Sequence, residues 1–394
     1  MDKMKFNRGN PQEEGPKRIE KKKSRKWLVL GIIALAAVAV VGFSLLRDST
    51  AFDGLRRSII YARAEKDQWG CAQLYSYSSD RDSCYASLGG SLVCASNNTV
   101  VLLGEDGSVR YSADVQFKQA AVCTNGSVAV VYDIGGTSLY VLDSKGLVRT
   151  LTAQGEIIAC TVNAKGALAI TSSKTGYKAA VEVYDGNGEK VFAFHSSDRF
   201  LMTAAVSDDS QYLAAVTMGQ QEGSFLSTAV LYRMNSEEPV ADCTIPGGAV
   251  YDIGTVDGRF CLVGESGLTF LNTAGEITGS CDYEGTYLRR CSLAGGGMAA
   301  LVLGRYRSGT QAQLLTVDAS GAVLGRLDID RDVVSLSAAG KYVAVLYSDA
   351  LVIYDRRLQE CARLTEISAV KQVLMRSDGS AVLISAGGAS LYLP

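Results

Sequence analysis

The sequence predicts an all-β protein, organised as a β-propeller of about eight four-stranded blades and preceded by one transmembrane helix. Three observations lead to this prediction. Twenty uncharged residues follow a basic head, short apolar runs alternate with turns beyond them, and these runs form units that recur roughly every 40 residues. Of the 394 residues, 47% are apolar and 20% are charged, so the chain can form a buried core.

The N-terminal region has the features of a membrane anchor. Residues 1–26 form a basic head with a net charge of +6, and residues 27–46 (WLVLGIIALAAVAVVGFSLL) carry no charge. A twenty-residue helix is about 30 Å long, which matches the hydrocarbon core of a bilayer. The positive-inside rule then predicts a cytoplasmic head and an extracytoplasmic remainder. A cleaved signal peptide is the alternative, although the apolar run is longer than a usual signal core.

Residues 47–71 are expected to be a juxtamembrane linker. Phe52, Leu55 and Ile59 recur at helical spacing, so a short helix is the alternative. The chain beyond residue 26 has a net charge of −8, and an acidic body lacks the clustered cations that neutralise phosphates. We therefore expect no nucleic-acid partner.

Residues 72–394 are predicted to form the propeller. Seven hairpin-like segments begin at residues 100, 139, 181, 229, 268, 314 and 351, and two further strand-like runs precede each of them. Each unit thus contains four strands. One such sheet cannot bury both of its faces, but several sheets around an axis bury them against their neighbours.

The two ends of the propeller are expected to complete one blade. The last unit, from Val370, supplies only three strands, while residues 72–78 (AQLYSYS) form a strand-like run that belongs to no unit. Pairing of this first strand with the last one closes the ring and removes two exposed edges. The count is then eight blades, with seven as the alternative.

Four hairpins contain a recurrent strand ending, VLD at 141–143, VYD at 183–185, TVD at 316–318 and IYD at 353–355. Through these endings the propeller resembles the WD40-like and quinoprotein-like group, although it has no WD dipeptide. The basic head, single span and exported propeller together resemble an uncharacterised family of single-span, membrane-anchored propeller proteins of Gram-positive bacteria, a domain of unknown function. The resemblance implies the architecture and supplies no catalytic residue.

The sequence contains no recognisable catalytic or metal-binding constellation. His195 is the single histidine, and the cysteines occur within strands rather than in paired metal-binding motifs. We therefore expect no enzymatic activity, no cofactor and no metal. Cys71 and Cys84 flank the closing strand and are the candidate disulfide pair, because disulfides are permitted outside the membrane.

Enlarged loops indicate where a binding surface lies. The connection between the second and third strands is longest at residues 172–178, 218–227 and 304–311, and in a propeller these connections share one face. Aromatic, flexible apolar and Arg side chains in them are typical of binding surfaces. The candidate rim residues are Lys174, Tyr177, Met218, Phe225, Arg305, Tyr306 and Arg307.

The predicted function is that of a membrane-tethered, extracytoplasmic binding or scaffold module for a protein, peptide or envelope polymer. Two alternatives stay open: a ligand sensor that signals through its cytoplasmic head, and a propeller enzyme with a site in the central channel.

Overall fold

The computed structural model describes residues 70–77, 82–221 and 223–394, together with residues 53, 54, 57, 58, 61, 65, 67 and 68. The predicted head (1–26) and transmembrane helix (27–46) lie outside these residues. Within the described part of the chain, no helix is both long enough and apolar enough to cross a bilayer. Of the predicted linker, residues 53, 54, 57 and 58 are helical.

The described residues form eight antiparallel sheets of four strands each, so the predicted all-β propeller with eight blades is confirmed and the seven-blade alternative is wrong. We name the strands of a blade A to D in sheet order. The A strand of each blade contacts the A strands of both adjacent blades. The A strands therefore surround a central channel, and the D strands lie outermost.

The first four blades follow one another along the chain. Blade 1 contains β2 (Cys84–Leu88), β3 (Ser91–Ala95), β4 (Thr99–Leu103) and β5 (Val109–Asp114). Blade 2 contains β6 (Ala120–Thr124), β7 (Ala129–Asp133), β8 (Ser138–Asp143) and β9 (Gly146–Thr152). Blade 3 contains β10 (Ile157–Val162), β11 (Leu168–Ser172), β12 (Ala179–Tyr184) and β13 (Lys190–Ser196). Blade 4 contains β14 (Phe200–Val206), β15 (Tyr212–Gln221), β16 (Ser224–Arg233) and β17 (Pro239–Ile245).

The remaining blades differ only in how the last one is completed. Blade 5 contains β18 (Val250–Val256), β19 (Arg259–Gly264), β20 (Gly267–Leu271) and β21 (Ile277–Asp282). Blade 6 contains β22 (Tyr287–Gly295), β23 (Met298–Gly304), β24 (Ala312–Asp318) and β25 (Val323–Ile329). Blade 7 contains β26 (Val333–Ala339), β27 (Tyr342–Tyr347), β28 (Ala350–Asp355) and β29 (Glu360–Thr365). Blade 8 contains β30 (Val370–Met375), β31 (Ala381–Ser385), β32 (Gly388–Tyr392) and, as its D strand, β1 (Cys71–Ser76).

Burial within a blade follows its radial order. The B strands β7 and β27 are buried at every residue, whereas the D strand β5 alternates between exposed and half-buried residues. A middle strand is covered on both faces by the neighbouring blades and therefore reads as a continuous apolar run. Eight hydrophobic clusters form the core, and each lies between two adjacent blades.

The recurrent Asp at the end of four C strands has a local structural cause. In the C–D turns, one carboxylate oxygen of Asp143, Asp185, Asp318 and Asp355 accepts hydrogen bonds from backbone N–H groups two and three or four residues further on. An Asp at this position imitates a backbone turn and fixes the reversal of the chain. The sequence endings that resemble other propellers are therefore turn signals.

The ring is closed by strand pairing between the two ends of the propeller. β1 pairs antiparallel with β32, with Cys71 opposite Tyr392 and Ser76 opposite Gly388. Tyr75, in β1, is 1% exposed and packs in the cluster between blades 8 and 1. We call this region, β1 and β32 with that cluster, the closure seam.

A polar clasp reinforces the closure seam from the segment before β1. The Asp53 carboxylate accepts a hydrogen bond from the Tyr342 hydroxyl at 2.7 Å and lies 2.9 Å from the Lys341 ammonium of blade 7. Arg57 donates to the carbonyls of Asp378 and Pro394 in and after blade 8. These contacts join blades 7 and 8 at the turns between their A and B strands.

Cys71 and Cys84 are both free thiols in the structure, so the expected disulfide is not formed. Cys71 lies on the outermost strand of blade 8 and packs toward blade 7, whereas Cys84 lies on the innermost strand of blade 1 and packs toward blade 2. Their proximity in sequence was misleading because they belong to different blades, one on an outermost strand and the other on an innermost strand.

Candidate binding face

The connections between strands emerge at two opposite ends of the propeller. Because every blade is an antiparallel meander, its B–C connection lies at the end where its A strand begins, and its A–B turn lies at the other end. We call these the B–C end and the A–B end. Asp53 and Arg57 contact the A–B turns at residues 341 and 378, so the clasp lies at the A–B end.

Exposed large apolar side chains fall into two groups. Seven aliphatic residues lie on D strands around the outside: Val109, Leu147, Val148, Val191, Val240, Ile277 and Val323. The other seven lie at the B–C end of four consecutive blades, 3 to 6: Ile158, Tyr177, Phe200, Phe225, Tyr251, Tyr287 and Tyr306. We call this second group the aromatic face. It contains every exposed Phe and Tyr among the described residues.

Three members of the aromatic face are residues that the sequence predicted for the rim. Tyr177 is 45% exposed, Phe225 is 61% exposed and Tyr306 is 57% exposed. Tyr177 and Tyr306 lie in B–C loops of blades 3 and 6. The expectation of a loop at residues 218–227 is wrong, because β15 and β16 extend as a long hairpin and place Phe225 near its tip.

Four members come from the beginnings of A strands and were not foreseen. Phe200 and Tyr287 are the first residues of β14 and β22. Ile158 and Tyr251 lie at β-bulges, where the register of β10 and β18 shifts by one residue. A bulge re-aims the side chain of the extra residue, and this explains why two large apolar residues at the start of buried strands remain exposed.

Cations accompany these rings. The Lys178 ammonium lies 4.9 Å from the ring centroid of Phe200, and the Arg307 guanidinium lies 5.3 Å from that of Tyr287. Arg305 lies 5.7 Å from the ring centroid of its neighbour Tyr306. Stacked guanidinium groups keep their hydrogen-bonding edges available, so the face presents flat apolar surfaces and donors together.

The remaining rim residues are held by local contacts. Lys174 is half-buried and donates to the side-chain oxygen of Gln154. Met218 is half-buried and pairs in register with Phe200. Arg289 donates to the backbone carbonyls of Tyr306 and Gly309, which fixes the 305–311 loop. The structure thus brings the seven predicted residues to the same end of blades 3, 4 and 6.

His195 belongs to this end of the propeller, where its ring lies 4.9 Å from that of Tyr177 at a tilt of 43°. Both rings are exposed. The contact extends the aromatic surface, and among the described residues no group of three or more His, Cys, Asp and Glu residues is arranged to hold a metal ion.

The innermost strand of blade 5 carries an acidic residue near two cysteines. Asp252 follows the bulge of β18, and desolvation by the surrounding inner strands raises the pKa of its carboxyl although water reaches it. Burial raises the pKa of the nearby Cys291 thiol to about 12 and that of Cys261 well above its usual range. Protonated thiols are poor nucleophiles, so these groups are suited to packing.

The sequence contains a pattern that could have revealed the four members of the aromatic face that lie on A strands. Ile158, Phe200, Tyr251 and Tyr287 occupy the first or second position of the A strand in four successive blades. Aligning the repeats by their first strand, rather than by their hairpins, places the four large apolar residues in two adjacent columns at the start of that strand. Loop length alone could not reveal them, because they do not lie in B–C loops.

Comparison with protein families matches residues 71–388 to one family, described as a family of unknown function (DUF5711). This match covers most of the chain. The chain belongs to that family. The matched residues include blades 1–7 in full and, of blade 8, the strands β1, β30 and β31 with the first residue of β32. A comparison with curated proteins gave no match.

Solved structures show the same fold at low sequence identity. BamB from Moraxella catarrhalis is 14% identical, with a TM-score of 0.50 over 82% of this chain and 98% of that one. The C-terminal WD40 domain of Sif2 is 12% identical, with a TM-score of 0.59 over 82% and 98%. Dihydro-heme d1 dehydrogenase NirN, in complex with DHE, is 15% identical, with a TM-score of 0.51 over 78% and 75%. At such identities the likeness shows the propeller fold alone.

Proposed function

We propose that this protein is a membrane-tethered, extracytoplasmic propeller that binds a protein partner through its aromatic face. The observation that carries the proposal is the confinement of all exposed Phe and Tyr side chains of the described residues to one end of blades 3–6. Large exposed apolar patches mark interaction sites, and aromatic and Arg residues dominate the binding free energy of protein interfaces.

Binding rather than catalysis agrees with the chemistry of the described side chains. The cysteines near the channel have raised pKa values, and His195 stacks on an exposed tyrosine instead of facing an acid or a nucleophile. Folds of this kind serve both scaffolds and enzymes, so the argument depends on these sites and not on the fold.

The tether and the location follow from residues 1–46, which predict a cytoplasmic head and one membrane span. The described part of the following segment contacts the A–B end, and therefore does not cover the aromatic face. Protease added to intact wall-free cells should degrade the propeller. Protection of the propeller until the cells are lysed would reverse the topology.

The binding role is tested by crosslinking in intact cells that express the full-length protein. The face variant carries Tyr177→Ala, Phe225→Ala and Tyr306→Ala, and we expect it to capture roughly tenfold less of any partner that the wild type captures. The matched control carries Val109→Thr, Val191→Thr and Val240→Thr, which removes exposed apolar groups from the D strands. Equal capture by the two variants, both folded, would contradict the proposal.

A further inference from the structure

A cavity of about 730 Å³ opens at the B–C end between blades 5 and 6, beside the aromatic face. It lies between the segment that leaves β21, the B–C loop of blade 6 and the end of β25. Its volume falls within the range of about 300–1,000 Å³ that is usual for small-ligand sites. Arg305 lines the cavity and also stacks on Tyr306, so the cavity and the aromatic face are continuous.

The cavity wall includes a strip of buried apolar side chains. Leu303 and Leu315 line it and are 4% and 2% exposed. Tyr283 also lines it, and the buried hydroxyl of this residue has no hydrogen-bond partner among the described residues. An alkyl chain that entered the cavity would therefore contact apolar surface.

The charged groups of the cavity are mostly acidic. Four carboxylates and two guanidinium groups line it, which leaves an excess of two negative charges: Asp282, Glu284, Asp328 and Asp330 against Arg305 and Arg326. A cation that entered the cavity would reduce this excess, so the charge is complementary to a basic group.

Existing contacts leave part of this negative charge available. Arg326 lies 3.7 Å from Glu284, and Arg305 is drawn toward the ring of Tyr306. Asp328 accepts a hydrogen bond from the Gln313 amide at 2.8 Å, which leaves its charge uncompensated. Asp330 is exposed and has no ion-pair partner among the described residues. The two carboxylates with the least compensation thus lie two residues apart, at the end of β25 on one side of the cavity.

We propose that this cavity binds an arginine or lysine side chain of the protein partner, with the alkyl stem against Leu303 and Leu315 and the cationic end between Asp328 and Asp330. This inference rests on the proposed function, because it makes the cavity the specificity pocket of the aromatic face. Basic side chains combine an apolar stem with a charged end, and the cavity offers complementary surfaces to both.

The test uses the full-length protein in detergent micelles with ¹³C-labelled methyl groups. The probe is a blocked tripeptide with arginine between two glycines, and its control has glutamine in the centre. We expect saturable shifts of the Leu303 and Leu315 methyl signals with the arginine peptide, weakened by added salt, and much smaller shifts with the glutamine peptide. Equal shifts with both peptides, or no saturable shift with either, would overturn the proposal.

Two double variants test whether the arginine peptide binds beside Asp328 and Asp330. Asp328→Asn with Asp330→Asn should weaken binding of the arginine peptide roughly fivefold, the scale of two solvent-accessible ion pairs. Asp114→Asn with Glu189→Gln removes the same charge from exposed positions outside the cavity and should leave binding unchanged. Equal losses in the two double variants would show a general charge effect and overturn the assignment.

Peptide binding and partner capture are measured separately, so failure of the cavity assignment can be distinguished from failure of the proposed function. Peptide binding in the cavity is measured without the partner and should persist in the Tyr177→Ala, Phe225→Ala variant, whose two changes lie in blades 3 and 4. If the peptide does not bind but capture still depends on the aromatic face, only the cavity assignment fails. If the peptide binds but the face variant captures normally, only the role of the aromatic face fails.

Discussion

Tyrosines at the closure seam are buried and hydrogen-bonded, whereas tyrosines on the aromatic face are exposed. Tyr75 is 1% exposed and donates to the Gly90 carbonyl at 2.6 Å, and Arg376 donates to the same carbonyl at 3.0 Å. Tyr177 and Tyr306 are 45% and 57% exposed, and their hydroxyls have no hydrogen-bond partner among the described residues. The same residue type thus has opposite surroundings in the two regions.

This difference separates residues that hold the fold from residues that are available to a partner. A buried tyrosine stabilises the protein through both its ring and its satisfied hydroxyl. An exposed ring contributes little to folding, but it can gain much when a partner desolvates it. The two regions should therefore respond in opposite ways to mutation: stability should fall at the closure seam, and binding should fall at the aromatic face.

The largest effect is expected when the closure seam is cut. A protein that begins at Asp80 lacks β1, which exposes the edge of β32 and the blade 8–1 cluster. We expect its thermal midpoint to lie at least roughly 10 °C below that of a protein that begins at Asp67, as measured by circular dichroism. Identical cooperative melting of the two proteins would show that β1 is dispensable for closure.

Removal of one aromatic ring, that of Tyr75, from the closure seam should have the next largest effect on stability. Tyr75→Ala removes a buried ring and leaves the Gly90 carbonyl with one donor fewer, so we expect a loss of about 3–5 kcal/mol in the free energy of unfolding. Tyr75→Phe keeps the ring and should lose only about 1 kcal/mol. Tyr306→Ala on the aromatic face is the matched comparison and should change stability by less than about 0.5 kcal/mol. Urea unfolding measures all three, and similar losses at positions 75 and 306 would abolish the distinction between the regions.

The polar clasp should contribute less than the ring of Tyr75. Asp53→Ala removes the carboxylate that contacts Lys341 and Tyr342, and we expect a loss of about 1–3 kcal/mol. Asp53→Asn keeps an acceptor for the Tyr342 hydroxyl and removes only the charge, so its loss should be smaller. Urea unfolding at pH 7 compares them. If the clasp does not stabilise the protein, both variants should have the same free energy of unfolding as the wild type.

The smallest expected effect is a dependence on alkaline pH. Burial raises the pKa of Cys84 from 9.0 to about 11 and that of Cys94 to about 12. Because the folded pKa values lie above the unfolded one, the stabilisation is complete below pH 9 and is lost as the pH rises through 11 to 12. We expect the free energy of unfolding to fall by an amount on the order of 1 kcal/mol between pH 8 and pH 10. The Cys84→Ala, Cys94→Ala variant should show a flatter profile, and an equally steep one would assign the effect to other groups.

Much of the architecture was predictable because each repeat carries its own turn signals. The Asp at positions 143, 185, 318 and 355 ends a C strand in four blades, and its carboxylate makes the turn that follows. Such signals are local, so they can be read from short stretches of sequence. Seven hairpins and the composite unit of the two ends then predicted eight blades, with seven as the alternative that the structure excludes.

The candidate site was predictable only in part. Tyr177 and Tyr306 lie in B–C loops, and loop length revealed them. Phe200, Tyr251 and Tyr287 begin inner strands, where an apolar residue is normally buried, and a register shift or a strand end exposes them. A pattern of residue types does not contain that information.

The sequence by itself determined the repeat, the four-stranded unit and the turn chemistry, because these depend on interactions between residues close together in the chain. Only the tertiary structure decided that there are eight blades and not seven, that Cys71 and Cys84 lie on different blades, that Asp53 clasps blade 7, and that four successive blades present aromatic residues at one end. These features depend on contacts between residues far apart in the chain. Their geometry is set by the closure of the ring, which no single repeat specifies.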